Sequence, residues 1–150
     1  MKNTESNTLI STFFLGETVW GLNTLDIQEV IKVSEITRVH NADEYILGIM
    51  NLRGKIVTLI DLSRKLGLGY SKISETSRII IVEWEDEYIG LIIDSISDVI
   101  DVERKSLTSA PAAMHGTRGG YIDSVYQANQ QLIAILNIKA VLEVSNEGRE

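Results

Sequence analysis

The chain has 150 residues, of which 44% are apolar, and its formal net charge is −7. This length fits one domain or two small intertwined ones, and the apolar fraction is that of a globular fold. The negative charge disfavours general affinity for nucleic acid or for an anionic membrane. Because the chain has no cysteine, disulfides, thiolate metal sites and cysteine nucleophiles are excluded.

No segment has the pattern of a membrane anchor. The polar stretch 1–8 lacks the apolar core of a signal peptide. No apolar run approaches the roughly 18–20 residues that span a bilayer. We therefore expect a soluble, cytoplasmic protein without direct membrane insertion.

The first predicted elements are two β-hairpins. Alternating and apolar residues at 11–15 and 18–22 predict a hairpin around Gly16-Glu17. Residues 78–84 and 88–93 predict another around Asp86-Glu87. The second hairpin contains a continuous apolar run, which is typical of a strand covered on both faces.

Two short helices follow from their capping residues. Asp61 is placed to cap a helix that Gly67 ends, and Asn137 is placed to cap a helix that begins at Ile138. The polar stretch 67–77 joins the two halves of the chain.

The sequence of the first half recurs in the second. Residues 17–31 resemble 86–100 at an offset of 69, and 56–62 resemble 132–138 at an offset of 76. Within these stretches, Gly21 matches Gly90, Glu29 matches Asp98, and Ile27 matches Ile96. A duplicated small β unit explains this order of elements. The competing interpretation is that any two β-hairpins look alike.

The short strands favour two small closed barrels over an open sheet. Each unit is near the lower size limit for an independent core, so the two should pack tightly or exchange strands. The seam between them would leave a groove suited to a partner's helix.

Residues capable of catalysis are few. The two histidines, His40 and His115, lie in loop-like segments without a surrounding catalytic motif. The acidic stretch 83–87 lacks the pattern of a calcium loop, and the glycine-rich stretch 115–120 lacks the end of a phosphate loop. No catalytic residue, cofactor or metal is expected. The alternatives left open are a small-ligand-binding β-barrel or minor hydrolase that uses acidic residues and His115, and an oligomeric scaffold.

The best-defined candidate site is an arginine in a turn. Arg53 lies in the polar turn 51–54 between two apolar strands, and Glu29 is its candidate ion-pair partner. Such a pair would hold the guanidinium, with its rigid fork of donors, in a fixed orientation for a partner. The alternative is a structural turn arginine that contacts backbone carbonyls.

The stretches that carry a family likeness are 14–22, 27–29, 48–54, 60–62, 90–94 and 99–100. They resemble the CheW-type chemotaxis coupling (adaptor) protein family. The turn Asn-Leu-Arg-Gly at 51–54, followed by an apolar strand and Asp-Leu, is the most specific part.

The resemblance implies a mainly β fold, with two pseudo-symmetric five-stranded SH3-like β-barrel subdomains that share a core, and short helices. A single domain would span 9–143. Subdomain one would cover about 17–66 and subdomain two about 78–136, with strand exchange between them. Residues 1–8 and 144–150 would be flexible tails.

The resemblance also implies function. Members of the family are non-enzymatic adaptors that couple the helical hairpin tips of chemoreceptors (methyl-accepting chemotaxis proteins) to the regulatory domain of the chemotaxis histidine kinase, and so regulate that kinase. Such a protein is cytoplasmic and associates with membrane receptor arrays through its partners. The positions that match receptor-binding or coupling residues are Ile27, Glu29, Gly48, Arg53, Ile96 and Val99.

Three positions depart from the family pattern. Many members have proline where Asp43 and Thr58 stand, and glycine is common where Ser124 stands. Serine resists backbone angles that glycine adopts, so Ser124 is expected to change the hairpin geometry of the second half.

Overall fold

In a computed structural model of the protein, the structure is described for residues 6–40, 42–110 and 119–147. Ten strands and two helices make up most of these residues. The strands are β1 (Asn7–Leu15), β2 (Thr18–Asn23), β3 (Glu29–Lys32), β4 (Ile46–Leu52), β5 (Lys55–Asp61), β6 (Arg78–Trp84), β7 (Glu87–Ile93), β8 (Ser95–Glu103), β9 (Ile122–Ala128) and β10 (Gln131–Leu136). The helices are α1 (Leu62–Lys65) and α2 (Ile138–Glu147).

The strands form two five-stranded sheets, with the orders β8-β1-β2-β10-β9 and β3-β6-β7-β5-β4. Replacing each strand by its equivalent in the other half converts one order into the other. A bridge between Thr108 and Val125 closes the first sheet, and a bridge between Thr37 and Ile49 closes the second. We call them the β8 barrel and the β3 barrel. The predicted mainly β fold with two similar five-stranded units is confirmed.

The hairpins are exchanged between the two halves. The β1–β2 hairpin completes the sheet of β8, β9 and β10, and the β6–β7 hairpin completes the sheet of β3, β4 and β5. Each exchanged hairpin joins its sheet through a parallel pair of strands, which is β2 with β10 in one sheet and β7 with β5 in the other. Neither 17–66 nor 78–136 therefore forms a complete five-stranded sheet by itself, because each range contains strands of both barrels.

The two glycines of the repeat have the same packing role. A Cβ atom on Gly21 would lie 2.6 Å from Ile10 Cγ2, and one on Gly90 would lie 2.6 Å from Ile79 Cγ2. Ile10 and Ile79 are themselves separated by the repeat offset of 69. The glycines therefore let the neighbouring strand side chains fill the barrel interiors, which accounts for their recurrence.

One hydrophobic core joins the barrels. Its buried members include Phe13 and Leu22 from the β8 barrel and Ile80 and Leu91 from the β3 barrel. All four side chains are at most 1% exposed. Neither barrel buries these residues without the other, so the predicted shared core is confirmed.

The predicted helix caps are confirmed. The Asp61 side chain accepts a hydrogen bond from the Arg64 amide at 3.2 Å, and the Asn137 side chain accepts one from the Ala140 amide at 3.1 Å. These side-chain acceptors satisfy amides that the first helical turn leaves free. The Asp61 carboxylate also accepts bonds from the amide and hydroxyl of Ser71, which ties the connecting stretch to α1.

Three details differ from the sequence-based expectations. The turn of the β6–β7 hairpin lies one residue earlier, at Glu85 and Asp86, where both residues have positive φ. Strand β1 begins at Asn7, inside the predicted flexible tail 1–8, because it pairs with β8. Helix α2 runs to Glu147, inside the predicted tail 144–150.

Candidate protein-binding site

Arg53 stands at the tip of the β4–β5 hairpin in a left-handed conformation, with φ of 50°. The next residue, Gly54, has φ of 85°, and its amide donates a 3.0 Å hydrogen bond to the Asn51 side chain. Two successive positive φ values form the tight turn that suits a two-residue hairpin. This turn projects the arginine away from the barrel, so its side chain is 69% exposed.

Arg53 donates a hydrogen bond from Nη2 to Glu29 Oε1, and the two form an exposed ion pair between the start of β3 and the β4–β5 turn. The predicted partner is therefore in contact with Arg53. An exposed pair contributes only about 0–1 kcal/mol to stability. Its main consequence is orientation, since one edge of the guanidinium is held while the remaining donors face solvent.

The second half lacks this pair. The equivalent turn residue is Asn129, which has the same backbone conformation with φ of 51°. The residue equivalent to Glu29 is Asp98, whose amide and carbonyl both bond to the Thr12 hydroxyl at a bulge between β1 and β8. An asparagine adopts positive φ readily, whereas an arginine does so rarely. The position of Arg53 is thus conformationally unfavourable for its residue type.

Gly48 has a supporting position on β4. A Cβ atom there would lie 2.2 Å from the Thr37 carbonyl oxygen, so only glycine allows the bridge between Thr37 and Ile49. Gly48 is buried, and it therefore shapes the barrel below the Arg53 turn instead of offering a contact to a partner.

The three apolar candidates differ in exposure. Ile96 and Val99 on β8 are 42% and 59% exposed, whereas Ile27 is half-buried against the shared core. Val30, next to Glu29 on β3, is also 41% exposed. Strands β3 and β8 each have one ladder partner, so they stand at the ends of their sheets. The structure joins Glu29 to Arg53 in the β3 barrel, whereas Ile96 and Val99 lie on β8 of the other barrel.

Other sequence candidates form no reactive set within the described residues. His40 is exposed in a turn, and His115 lies outside the described residues, as does most of 115–120. The acidic stretch 83–87 forms the β6–β7 hairpin tip. Residues 6–40, 42–110 and 119–147 contain no group of three or more metal-binding side chains. No helix in these residues is long and apolar enough to cross a membrane.

The departures from the family pattern have a local effect. Thr58 lies in β5 between β4 and β7, a position where a proline would remove a ladder donor. Ser124 keeps its register with Ile135 and has no positive φ, whereas Gly48, its equivalent, has φ of 155°. Serine thus alters the backbone at this point without disrupting the hairpin.

Two features were missed by sequence reasoning: the buried amine of Lys65 in α1, and a cavity lined by Asp26 and Asp123. Both could have been found by comparing the halves at an offset of 76, since Val141 stands opposite Lys65 and Leu47 opposite Asp123. A charged residue at a position that is apolar in the other half is the signal.

The fold is a double barrel of the SH3-like class, with an exposed, ion-paired arginine as its most defined surface feature. The CheW-like domain model matches residues 10–146. The chain belongs to the CheW-like family. It is 30% identical over 131 residues to the chemotaxis protein CheW of Bacillus subtilis (strain 168), covering 87% of this chain and 84% of that protein.

Two further relatives agree. The chemotaxis protein CheW of Treponema pallidum (strain Nichols) is 30% identical over 131 residues, covering 85% of this chain and 77% of that protein. The crystal structure of the scaffolding protein TtCheW from Thermoanaerobacter tengcongensis superposes with a TM-score of 0.81 at 35% identity. That match covers 87% of this chain and 84% of the other.

Proposed function

We propose that this chain is a non-enzymatic chemotaxis adaptor that couples the helical hairpin tips of chemoreceptors to the regulatory domain of the chemotaxis histidine kinase. Membership of the CheW-like family carries the chemotaxis role, since the relatives are chemotaxis proteins and one is a scaffolding protein. The adaptor works in the cytoplasm and reaches membrane receptor arrays through its partners. It requires no cofactor.

The oriented guanidinium of Arg53 is the observation that supports a receptor-binding site. Glu29 holds one side of Arg53 while the side chain stays largely exposed. An arginine fixed in this way binds carboxylates or backbone carbonyls of a partner with little loss of side-chain entropy on binding. Arginine is also among the residue types enriched at the energetic centre of protein interfaces.

Apolar contact completes the proposed surface. Ile96 and Val99 are exposed on β8, and Val30 is exposed on β3. Ile27 and Gly48 support this surface from within. Ile27 packs on the shared core, and Gly48, which has no Cβ atom, leaves room for the Thr37 carbonyl oxygen. An amphipathic helix of the receptor would place apolar side chains on this surface and polar groups beside Arg53.

The test is a set of charge variants in a binding assay with chemoreceptor fragments and histidine kinase. Arg53→Glu should weaken receptor binding and kinase stimulation at least tenfold, because it replaces the partner-facing cation with an anion. The control is Arg64→Glu. It makes the same change at another arginine that is paired with a glutamate, Glu44, and that lies in α1, at the opposite end of β5 from the Arg53 turn.

The double variant with Glu29→Arg and Arg53→Glu separates recognition from structure. It restores an ion pair of opposite polarity. If binding stays lost, Arg53 itself contacts the receptor. Recovery of binding would show that the pair acts only by holding the turn, and full binding by Arg53→Glu alone would reject the site. Unchanged circular dichroism and melting must accompany each result.

A further inference from the structure

A cavity of about 400 Å³ lies at the mouth of the β8 barrel, on a part of the surface that the adaptor proposal does not use. Its apolar lining comes from Ile10 of β1, Leu107, Ile135 and Leu136 of β10, and Ile138 of α2. Ile10 and Ile135 are buried, so they form a floor. The volume is within the range of pockets that hold small ligands.

Four charged side chains stand around this floor. Asp26 and Asp123 contribute two carboxylates, and Arg104 and Lys139 contribute two cations. Among the described residues, none of the four is in an ion pair. Burial, and then the Asp123 carboxylate, raises the pKa of Asp26 above its ordinary value. The Asp123 carboxylate is therefore close enough to act on Asp26.

The other barrel provides an internal comparison. Asp123 is the extra residue of a bulge between β9 and β10, and Leu47 is the extra residue of the same bulge between β4 and β5. Leu47 packs with Val33 and Ile36 on a buried apolar cluster of the β3 barrel. The remaining equivalents of the charged residues are Ser95 for Asp26 and Ser63 for Lys139.

The two barrel mouths therefore differ in their backbone and in the side chains that line them. Arg104 begins a 3-10 turn, Arg104–Ser106, and the segment that leads from β3 to Thr37 has no such turn. One copy of the repeat closes its mouth with apolar side chains, while the other surrounds an apolar floor with charges of both signs. Arg104, Asp123 and Lys139 are exposed and have no ionic partner among the described residues, so their charged groups can reach a ligand in the cavity.

We infer that the mouth of the β8 barrel binds a small zwitterion with an apolar body, of the size of an amino acid or dipeptide. Its ammonium group would lie between Asp26 and Asp123, and its carboxylate would bind Arg104 and Lys139. The apolar side chain would cover Ile10, Leu107 and Ile135. A ligand with both charges has a partner of opposite charge in each pair of side chains, whereas a ligand with a single charge has such a partner in one pair only.

The experiment is a titration of the ¹⁵N-labelled full chain, followed by ¹H–¹⁵N spectra. The probes are L-leucine and L-leucyl-L-leucine, which distinguish the two sources of the same chemistry. The amides of Asp26 and Ser124 should shift with a Kd of about 1 mM or tighter for at least one probe. Leucinamide, which lacks the carboxylate, and 4-methylpentanoate, which lacks the ammonium, should each bind at least tenfold more weakly.

Asp123→Leu is the matched variant, because it installs the residue of the other barrel. It should weaken binding at least tenfold, whereas Asp98→Leu, the same change at an exposed aspartate of the same barrel outside the cavity, should not. Unchanged spectra away from the site confirm folding of both. Absence of shifts with both zwitterions at about 10 mM, equal binding of the single-charge analogues, or unweakened binding by Asp123→Leu would overturn the inference. The assay contains neither receptor nor kinase, so its outcome is independent of the adaptor proposal.

Discussion

At the scale of single residues, Lys65 is the least favourable side chain of the described core. It is 8% exposed, its Nζ atom makes no hydrogen bond, and the amine lies 3.8 Å from the centre of the Tyr45 ring. The equivalent residue of the other half is Val141, which is fully buried. The cation–π contact offsets part of the desolvation of the amine, but not all of it.

Replacing Lys65 with an apolar residue should therefore stabilise the protein. We expect Lys65→Met to raise the free energy of unfolding by about 1–2 kcal/mol at pH 7, because it removes a buried charge while filling the same space. Urea unfolding of both proteins measures the difference. Lys55→Met is the control, since Lys55 is exposed beside the Tyr88 ring and should shift stability by less than about 0.5 kcal/mol. A destabilised Lys65→Met would show that the cation–π contact outweighs burial.

The same lysine should make stability depend on pH. Burial, opposed by the weaker attraction of Asp43, lowers the pKa of Lys65 from 10.5 to about 8. Between these values the unfolded chain binds more protons than the folded one, so this lysine adds stability as the pH rises through 8. The advantage of Lys65→Met should thus shrink between pH 7 and 9.5 in urea titrations. A constant difference over that range would contradict the buried, partly neutral amine.

At the scale of elements, the repeat determines which glycines are essential. Gly90 lies on β7, where a Cβ atom would be 2.6 Å from Ile79 Cγ2 and 2.7 Å from Leu59 Cδ2. Both side chains are fully buried and have no room to move. The tight approach therefore requires glycine at this position.

We expect Gly90→Ala to lower the free energy of unfolding by about 1–3 kcal/mol, as overpacking of a filled core does. Thermal and urea unfolding would measure the loss. Gly120→Ala is the control, because nothing lies within 4 Å of a Cβ atom there. If Gly90→Ala unfolded like the unmodified chain, the packing of the β3 barrel interior would differ from the one described.

At the scale of the whole molecule, the exchanged hairpins and the shared core make the two barrels one cooperative unit. Trp20 lies on β2 of the β8 barrel and Trp84 lies on β6 of the β3 barrel. The variants Trp20→Phe and Trp84→Phe therefore leave one fluorescent reporter in each barrel. Because the core residues come from both barrels, neither barrel should unfold alone.

For each tryptophan variant, fluorescence and far-UV circular dichroism should give the same urea midpoint. Fluorescence follows one barrel, whereas circular dichroism follows both. A two-step dichroism curve, of which fluorescence reports only one step, would show that the barrels unfold separately.

Much of this architecture was predictable because the two similar halves of the chain can be compared with each other. The recurrence of Gly21 at Gly90, and of the caps Asp61 and Asn137, revealed two similar units from local signals alone. The ion pair of Glu29 with Arg53 was also anticipated, through the turn and the family likeness. The contact itself depends on the tertiary structure, which places β3 and the β4–β5 turn in one barrel.

Sequence alone determined the β class, the duplication, the helix caps and the exposed arginine, because each depends on neighbouring residues or on the repeat. Tertiary structure decided which hairpin completes which sheet. Strands that are far apart in the sequence pair according to how their side chains pack in the folded protein, and no local sequence pattern specifies that choice. Tertiary structure also decided that Lys65 is buried and that one barrel mouth is open. Burial is a property of the assembled core, and side chains from distant strands create it together.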